Sequence, residues 1–182
     1  MVFTQQFDQM DCGPACIRMI ASAYGKLYPL SHLRSFSHLT REGVSVMGIR
    51  RALKEIGMKS ATFEMTIQQL RESCPLPAIL HWEQNHFVVL YDVKRNRWRK
   101  SWIYYVANPA FGKTKLSEED FSRSWLNGDK GVVIAIEPTA EFYEKPNIKD
   151  KHSFIRFAWK YVWPFRLEML QSAMGLLFGL LL

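Results

Sequence analysis

Cys12 stands in Asp11-Cys12-Gly13-Pro14, a run suited to opening a helix, because proline tolerates a first turn where its missing N–H would be unpaired anyway. At such a position backbone N–H groups and the helix dipole favour a thiolate, and a cysteine pKa of about 8.5 can fall to roughly 3.5–7.5. His86 opens an apolar, β-branched run far along the chain, as expected of a base that is delivered by folding. Asn108 follows the next such run. Its side-chain oxygen can accept the second imidazole N–H and fix the ring's tautomer and orientation, as in a Cys-His-Asn triad. Gln6 precedes Cys12 by six residues and can set an amide N–H, beside that of Cys12, against a developing oxyanion. The chemistry these residues suit is thiol-dependent acyl transfer.

Taken singly, each has a structural explanation. Free cysteine is among the most buried residue types, and Cys16 and Cys74 read as structural. Asn108-Pro109 is a common turn opener. The order of Gln, Cys-Gly-Pro at a helix start, His on a strand and Asn after the next strand is what raises them jointly. The main competitor is a tetrahedral zinc site from Cys12, Cys16, His81 and His86. It fits less well, because the cysteine pair lies within one helix where structural zinc sites use a turn. No metal is expected. The segment 94–100 has five basic residues of seven and a Trp; a solvated hairpin tip explains it more simply than a nucleic-acid contact.

The elements that must position these residues are legible in outline. Ala15, Ile17, Met19, Ile20, Ala23 and Tyr24 give the first helix a wide apolar face up to Gly25. Further helices are expected over 31–36, from about Ser45 to Gly57, and over 66–73. Strands are expected over 77–82, 86–93 and 102–107. Ser117 caps a helix through Trp125, and 131–136 forms a last strand. Helices first and an antiparallel sheet afterwards make an α+β domain. Pairing of 86–93 with 102–107 as a hairpin would bring His86 and Asn108 to one end.

Lysine and arginine total 24 against 17 acidic residues, a net charge of +7, and 48% of residues are hydrophobic. That is globular composition, and the excess is too mild to imply a nucleic-acid binder. Three cysteines without disulfide spacing and no visible secretory signal suit a reducing cytosol. Residues 1–138 are expected to be one domain, 139–150 a linker and 151–182 a basic amphipathic segment leading into a transmembrane helix. From Met169 to Leu182 only Gln171 and Ser172 are polar. Fourteen such residues span roughly 21 Å as a helix, against roughly 30 Å of hydrocarbon. The chain therefore reads as a piece of a larger membrane protein, its basic flank on the cytosolic side.

The segment from Gln6 to Ile17, with Tyr24-Gly25 after it, resembles the nucleophile motif of the bacteriocin-processing peptidases, the N-terminal domains of peptidase-containing ABC transporters. His86-Phe87-Val88-Val89-Leu90-Tyr91 resembles that family's histidine motif, and Ala107-Asn108-Pro109-Ala110, with Gly112, its third-residue motif. Gly43-Val44-Ser45 resembles the segment between them. The resemblance covers about residues 3–138. It implies a papain-like fold and cleavage of amphipathic leader peptides after a Gly-Gly type pair, at the cytosolic face of the cytoplasmic membrane. By the same resemblance Cys12 is the nucleophile, His86 the base and acid, and Gln6 the oxyanion donor. One departure stands out: the family usually has Asp where this chain has Asn108. No cofactor is implied for the cut; ATP and Mg are implied only for the remaining transporter domains. The implied partners are the precursor peptide and the membrane and nucleotide-binding domains of the same protein, as a homodimer. The alternative is a docking module that binds leaders without cutting them.

Overall fold

A computed structural model describes residues 1–37, 44–96, 100–148, 159, 161–169 and 171–172. The tip of the basic hairpin at 97–99, the segment 149–158 and the apolar run from 173 onward lie outside the described residues, so the transmembrane expectation falls largely outside them. The same holds for Gly43. No helix among the described residues is long and apolar enough to cross a membrane.

The helix at the start runs as α1, Cys12–Ala23, after a short 3-10 turn, Gln9–Asp11. Helices α2 (Leu30–Ser37) and α3 (Val46–Glu55) follow. Ser45 caps α3 by accepting the Gly48 N–H at 3.1 Å. Strand β1 (Met58–Met65) leads to α4 (Ile67–Ser73), which opens with a capping box between Thr66 and Gln69. Strands β2 (Ala78–Trp82), β3 (His86–Asn96), β4 (Ser101–Asn108) and β5 (Gly112–Ser117) form a meander, followed by α5 (Glu118–Trp125) and β6 (Gly131–Pro138). All pairs are antiparallel, in the order β1-β6-β2-β3-β4-β5. The α+β expectation is borne out.

Alternate residues of the strands point to opposite faces, so the sheet has two cores. Ile79, Phe87, Val89, Ala107, Ile134 and Ile136 pack under α1, α2 and α3. Leu80, Val88, Leu90, Tyr104, Val106 and Val133 pack against Phe121 and Trp125 of α5 and Leu70 of α4. The helix α1 meets the rest so closely that Gly13 cannot carry a side chain, since a Cβ there would lie 2.2 Å from Cγ1 of Val44.

Two strands and one helix go beyond the sequence-based expectation. Strands β1 and β5 were not expected, and α6 (Ala140–Glu144) occupies part of the stretch read as a linker. Phe142 of α6 is fully buried in the core beneath α1. The Lys26 ammonium, itself buried, donates to the carbonyls of Phe142, Tyr143 and Lys145, and so closes the C-terminal end of α6. The chain thereby forms one compact unit over Met1–Ile148 and a second over Lys149–Leu182. Within the second, Trp163–Phe165 makes a 3-10 turn. The Arg166 guanidinium sits 4.7 Å from the Trp163 ring, and Trp159, Tyr161, Phe165 and Leu167 are exposed.

Candidate active site

Cys12 begins α1 and is 4% exposed, packed among the residues of the α1 core. Its thiol is pushed above its ordinary pKa by burial, with a small further push from the Asp11 charge. Backbone hydrogen bonds from Phe87, Gly13 and Cys12 itself pull the other way. The lowering expected of a helix start is therefore present, but burial outweighs it. The bond from Phe87 places the thiol against the first residues of β3, next in sequence to His86.

His86 is positioned by a tight β2–β3 hairpin. Glu83 and Gln84 adopt left-handed φ values of 48° and 62°, and Trp82 pairs with His86 across the turn. Left-handed backbone at both central positions matches the twist of antiparallel strands. Asn108 ends β4, and the turn after it is held by its own side chain, whose Oδ1 accepts the Ala110 N–H at 2.9 Å. The same Oδ1 lies 2.9 Å from Nε2 of His86. An oxygen that already accepts a backbone N–H is the acceptor in the second bond also, so Nε2 carries the proton. In that tautomer Nδ1 carries the lone pair and can accept a proton.

Gln6 is tied to the same turn: its N–H donates to the Pro109 carbonyl at 3.0 Å. Its side-chain Oε1 is buried and has no hydrogen-bond partner among the described residues. The hairpin expectation holds: β3 and β4 pair with Val89 opposite Ala107, which brings His86 and Asn108 to one end. Three separate loops thus converge, carrying Gln6, the start of β3 and the Asn108 turn, with Cys12 at the helix start behind them. Two phenylalanines, Phe7 and Phe111, stand almost fully exposed on the two loops that the Gln6–Pro109 bond joins.

The remaining cysteines are set apart by their surroundings. Cys16 is fully buried, donates to the Phe87 carbonyl at 3.3 Å and is pushed well above its ordinary pKa by burial. Burial pushes Cys74 up to about 11. His81 packs its ring 5.1 Å from that of Phe87. Among the described residues no group of three or more His, Cys, Asp or Glu side chains lies close enough to hold a metal ion. Sequence reasoning gave no role to Asp11 or Arg34. Asp11 is 2% exposed, and its carboxylate takes two bonds from the Arg34 guanidinium of α2, one of them Nε to Oδ1 at 2.7 Å. In sequence an Asp directly before a helix start reads as an ordinary N-cap, so no local signal pointed to Arg34.

Residues 1–141 match the Peptidase C39 family. Over 137 residues the chain is 35% identical to the colicin V secretion/processing ATP-binding protein CvaB of Escherichia coli, covering 75% of this chain and 18% of that protein. It is 32% identical over 158 residues to the pediocin PA-1 transport/processing ATP-binding protein PedD of Pediococcus acidilactici, covering 84% of this chain and 20% of that one. The chain thus spans about a fifth of the length of these curated relatives. Among solved structures, it superposes with a TM-score of 0.68 and 27% identity on a double glycine motif protease from an AMS/PCAT transporter in complex with the leader peptide. That match covers 76% of this chain and 91% of the protease. The papain-like fold implied by the sequence motifs is therefore borne out, and this chain belongs to the Peptidase C39 family of cysteine peptidases.

Proposed function

We propose that this chain cuts the leader from a precursor peptide after a Gly-Gly type pair, on the cytosolic side of a membrane, within a transporter that exports the released peptide. The observation that carries the reading is the His86–Asn108 hydrogen bond, at the point where Cys12 packs against the start of β3. In the proposed reaction Nδ1 of His86 takes the Cys12 proton, and the thiolate attacks the carbonyl of the second small residue. The oxyanion rests on the Cys12 N–H and the Gln6 amide. His86 then protonates the departing amine, giving a thioester that a His86-activated water hydrolyses to free the leader. Asn108 keeps the imidazole in the required tautomer throughout.

Support for a peptide partner comes from the CvaB and PedD likenesses and from the leader-bound protease. The exposed Phe7 and Phe111 offer apolar contact at the rim, and a cleft of 510 Å³ beside α3, lined by Met47, Arg50, Arg51 and Lys54, suits an amphipathic segment. The exposed aromatic residues of 159–167, interleaved with Arg166, suit a membrane surface. No cofactor takes part in the cut; ATP with Mg and dimerisation belong to the transporter as a whole.

The test is mass spectrometry on the whole chain, reduced and in mild detergent, mixed with peptides whose amphipathic leaders end in Gly-Gly. A single cut after that pair, blocked by a thiol alkylator and lost in Cys12→Ala by at least about 10³-fold, is expected. Binding without cleavage across pH and several leaders would sink the proposal and favour a docking module.

A further inference from the structure

A buried carboxylate immediately before the nucleophile is, by itself, a liability. Asp11 is the residue at the N-terminal boundary of α1, yet its side chain makes no capping bond to the helix. A free carboxylate there would compete with a thiolate for the positive end of the helix and would repel it. Instead both oxygens of Asp11 are held by Arg34, whose guanidinium is held above its already high pKa chiefly by this bond. Arg34 is the only basic residue in the last turn of α2, and its side chain is 37% exposed against 2% for Asp11.

We propose that Arg34 is a positioning residue for the reaction, acting through Asp11: it offsets most of the carboxylate's charge beside Cys12 and fixes α2 to the first turn of α1. The proposal rests on Cys12 being the nucleophile. Among the described residues, the charged and titratable groups to consider around the thiol are the following. Asp11 lies on the preceding turn, and Arg34, which also feels Asp8, comes from α2. His86 comes from β3, and Cys16 lies one turn along α1. Helix α3 turns apolar Ile49, Ala52 and Leu53 to this core, with Val44 before it. With Arg34 in place, the Asp11 charge is largely offset and leaves only a small push on the thiol, against which the helix N–H groups act.

The experiment is the pH dependence of Cys12 alkylation in the whole chain, read by mass mapping so that Cys16 and Cys74 are scored separately. Because it needs no peptide substrate, it can fail without bearing on the peptidase reading, and the reverse also holds. Arg34→Gln is expected to move the alkylation midpoint up by about one pH unit, a roughly tenfold slower reaction at a fixed pH below it. The double variant Asp11→Asn with Arg34→Gln removes both charges and returns the midpoint to that of the native chain. Arg34→Lys keeps the charge and also stays near the native midpoint. A folded Arg34→Gln chain with an unmoved midpoint would overturn the proposal, as would equal displacement of the single and double variants. If Arg34→Gln does not fold, a displaced midpoint in the folded double variant overturns it instead.

Discussion

The two faces of the sheet are built on different principles. Beneath α4 and α5 the core is aromatic packing: Tyr104 stacks on Phe121 with ring centroids 4.2 Å apart, and Phe121 lies 5.5 Å from Trp125. Its polar atoms are few and settled at once, as where the Trp125 indole donates to the Val132 carbonyl at 3.0 Å. On the α1 side, buried polar groups gather around the helices: Asp11 at the start of α1, Lys26 after its end and Ser37 at the end of α2. Each has a partner, whether Arg34, the α6 carbonyls or the Leu33 carbonyl. A partnered buried polar group adds little net stability but fixes geometry, whereas an unpartnered one costs heavily. One face therefore holds the sheet together, and the other holds a few atoms in place.

The largest effect that would separate the faces is Trp125→Ala. Trp125 is fully buried, and the Gly131 backbone approaches its ring so closely that a Cβ would lie 2.3 Å away. Removing the indole should cost about 3–5 kcal/mol, seen as a lower midpoint in urea unfolding. Well below that midpoint, the rate of Cys12 alkylation should be unchanged. A changed rate in the folded variant would show that the faces are not independent. Lys26→Met asks the complementary question on the α1 side. It keeps the bulk of the side chain but leaves the three carbonyls at the end of α6 without their donor. A loss of about 1–3 kcal/mol is expected, with faster amide exchange confined to residues 139–148. Uniformly faster exchange would mean that Lys26 supports the whole unit and not the α6 attachment.

The same contrast explains what could be read from the sequence. Strands β2 and β6, the start of β3 (87–90) and the end of β4 (106–108) are buried on both faces, and their runs of β-branched and aromatic residues announce them. The two strands without that signature, β1 and β5, are the edges. An edge strand is half-solvated and carries charge that discourages further pairing, so Lys59 and Glu64, or Lys113 and Lys115, blur the alternation that marks a strand. Helix α6 was hidden because it is five residues long and buries only Phe142, between Glu141 and Glu144. Its partner Lys26 is 116 positions away, and no local pattern encodes that distance. In the candidate site, Cys12, His86, Asn108 and Gln6 could be picked out because their types and order are diagnostic together. The Asp11–Arg34 pair could not, since an acid and an arginine 23 residues apart are commonplace until burial makes each depend on the other.

Asn108 tests how far geometry alone serves the α1 face. Its Oδ1 bonds both the Ala110 N–H and His86 Nε2 at 2.9 Å, so it orients the imidazole without contributing charge. Asn108→Asp preserves both acceptors and places a carboxylate beside the ring. A carboxylate favours imidazolium, so the pH profile of cleavage should move to higher pH. Near neutral pH, kcat/KM should change by less than about tenfold, because orientation is already supplied. The loop should stay as it is, since the turn is held by the oxygen that both residues share. If cleavage is lost outright while the chain remains folded, Asn108 does more than orient the ring. If the pH profile does not move, the hydrogen bond to Nε2 is absent in the working enzyme, and the geometry that sets the α1 face apart would have to be sought elsewhere.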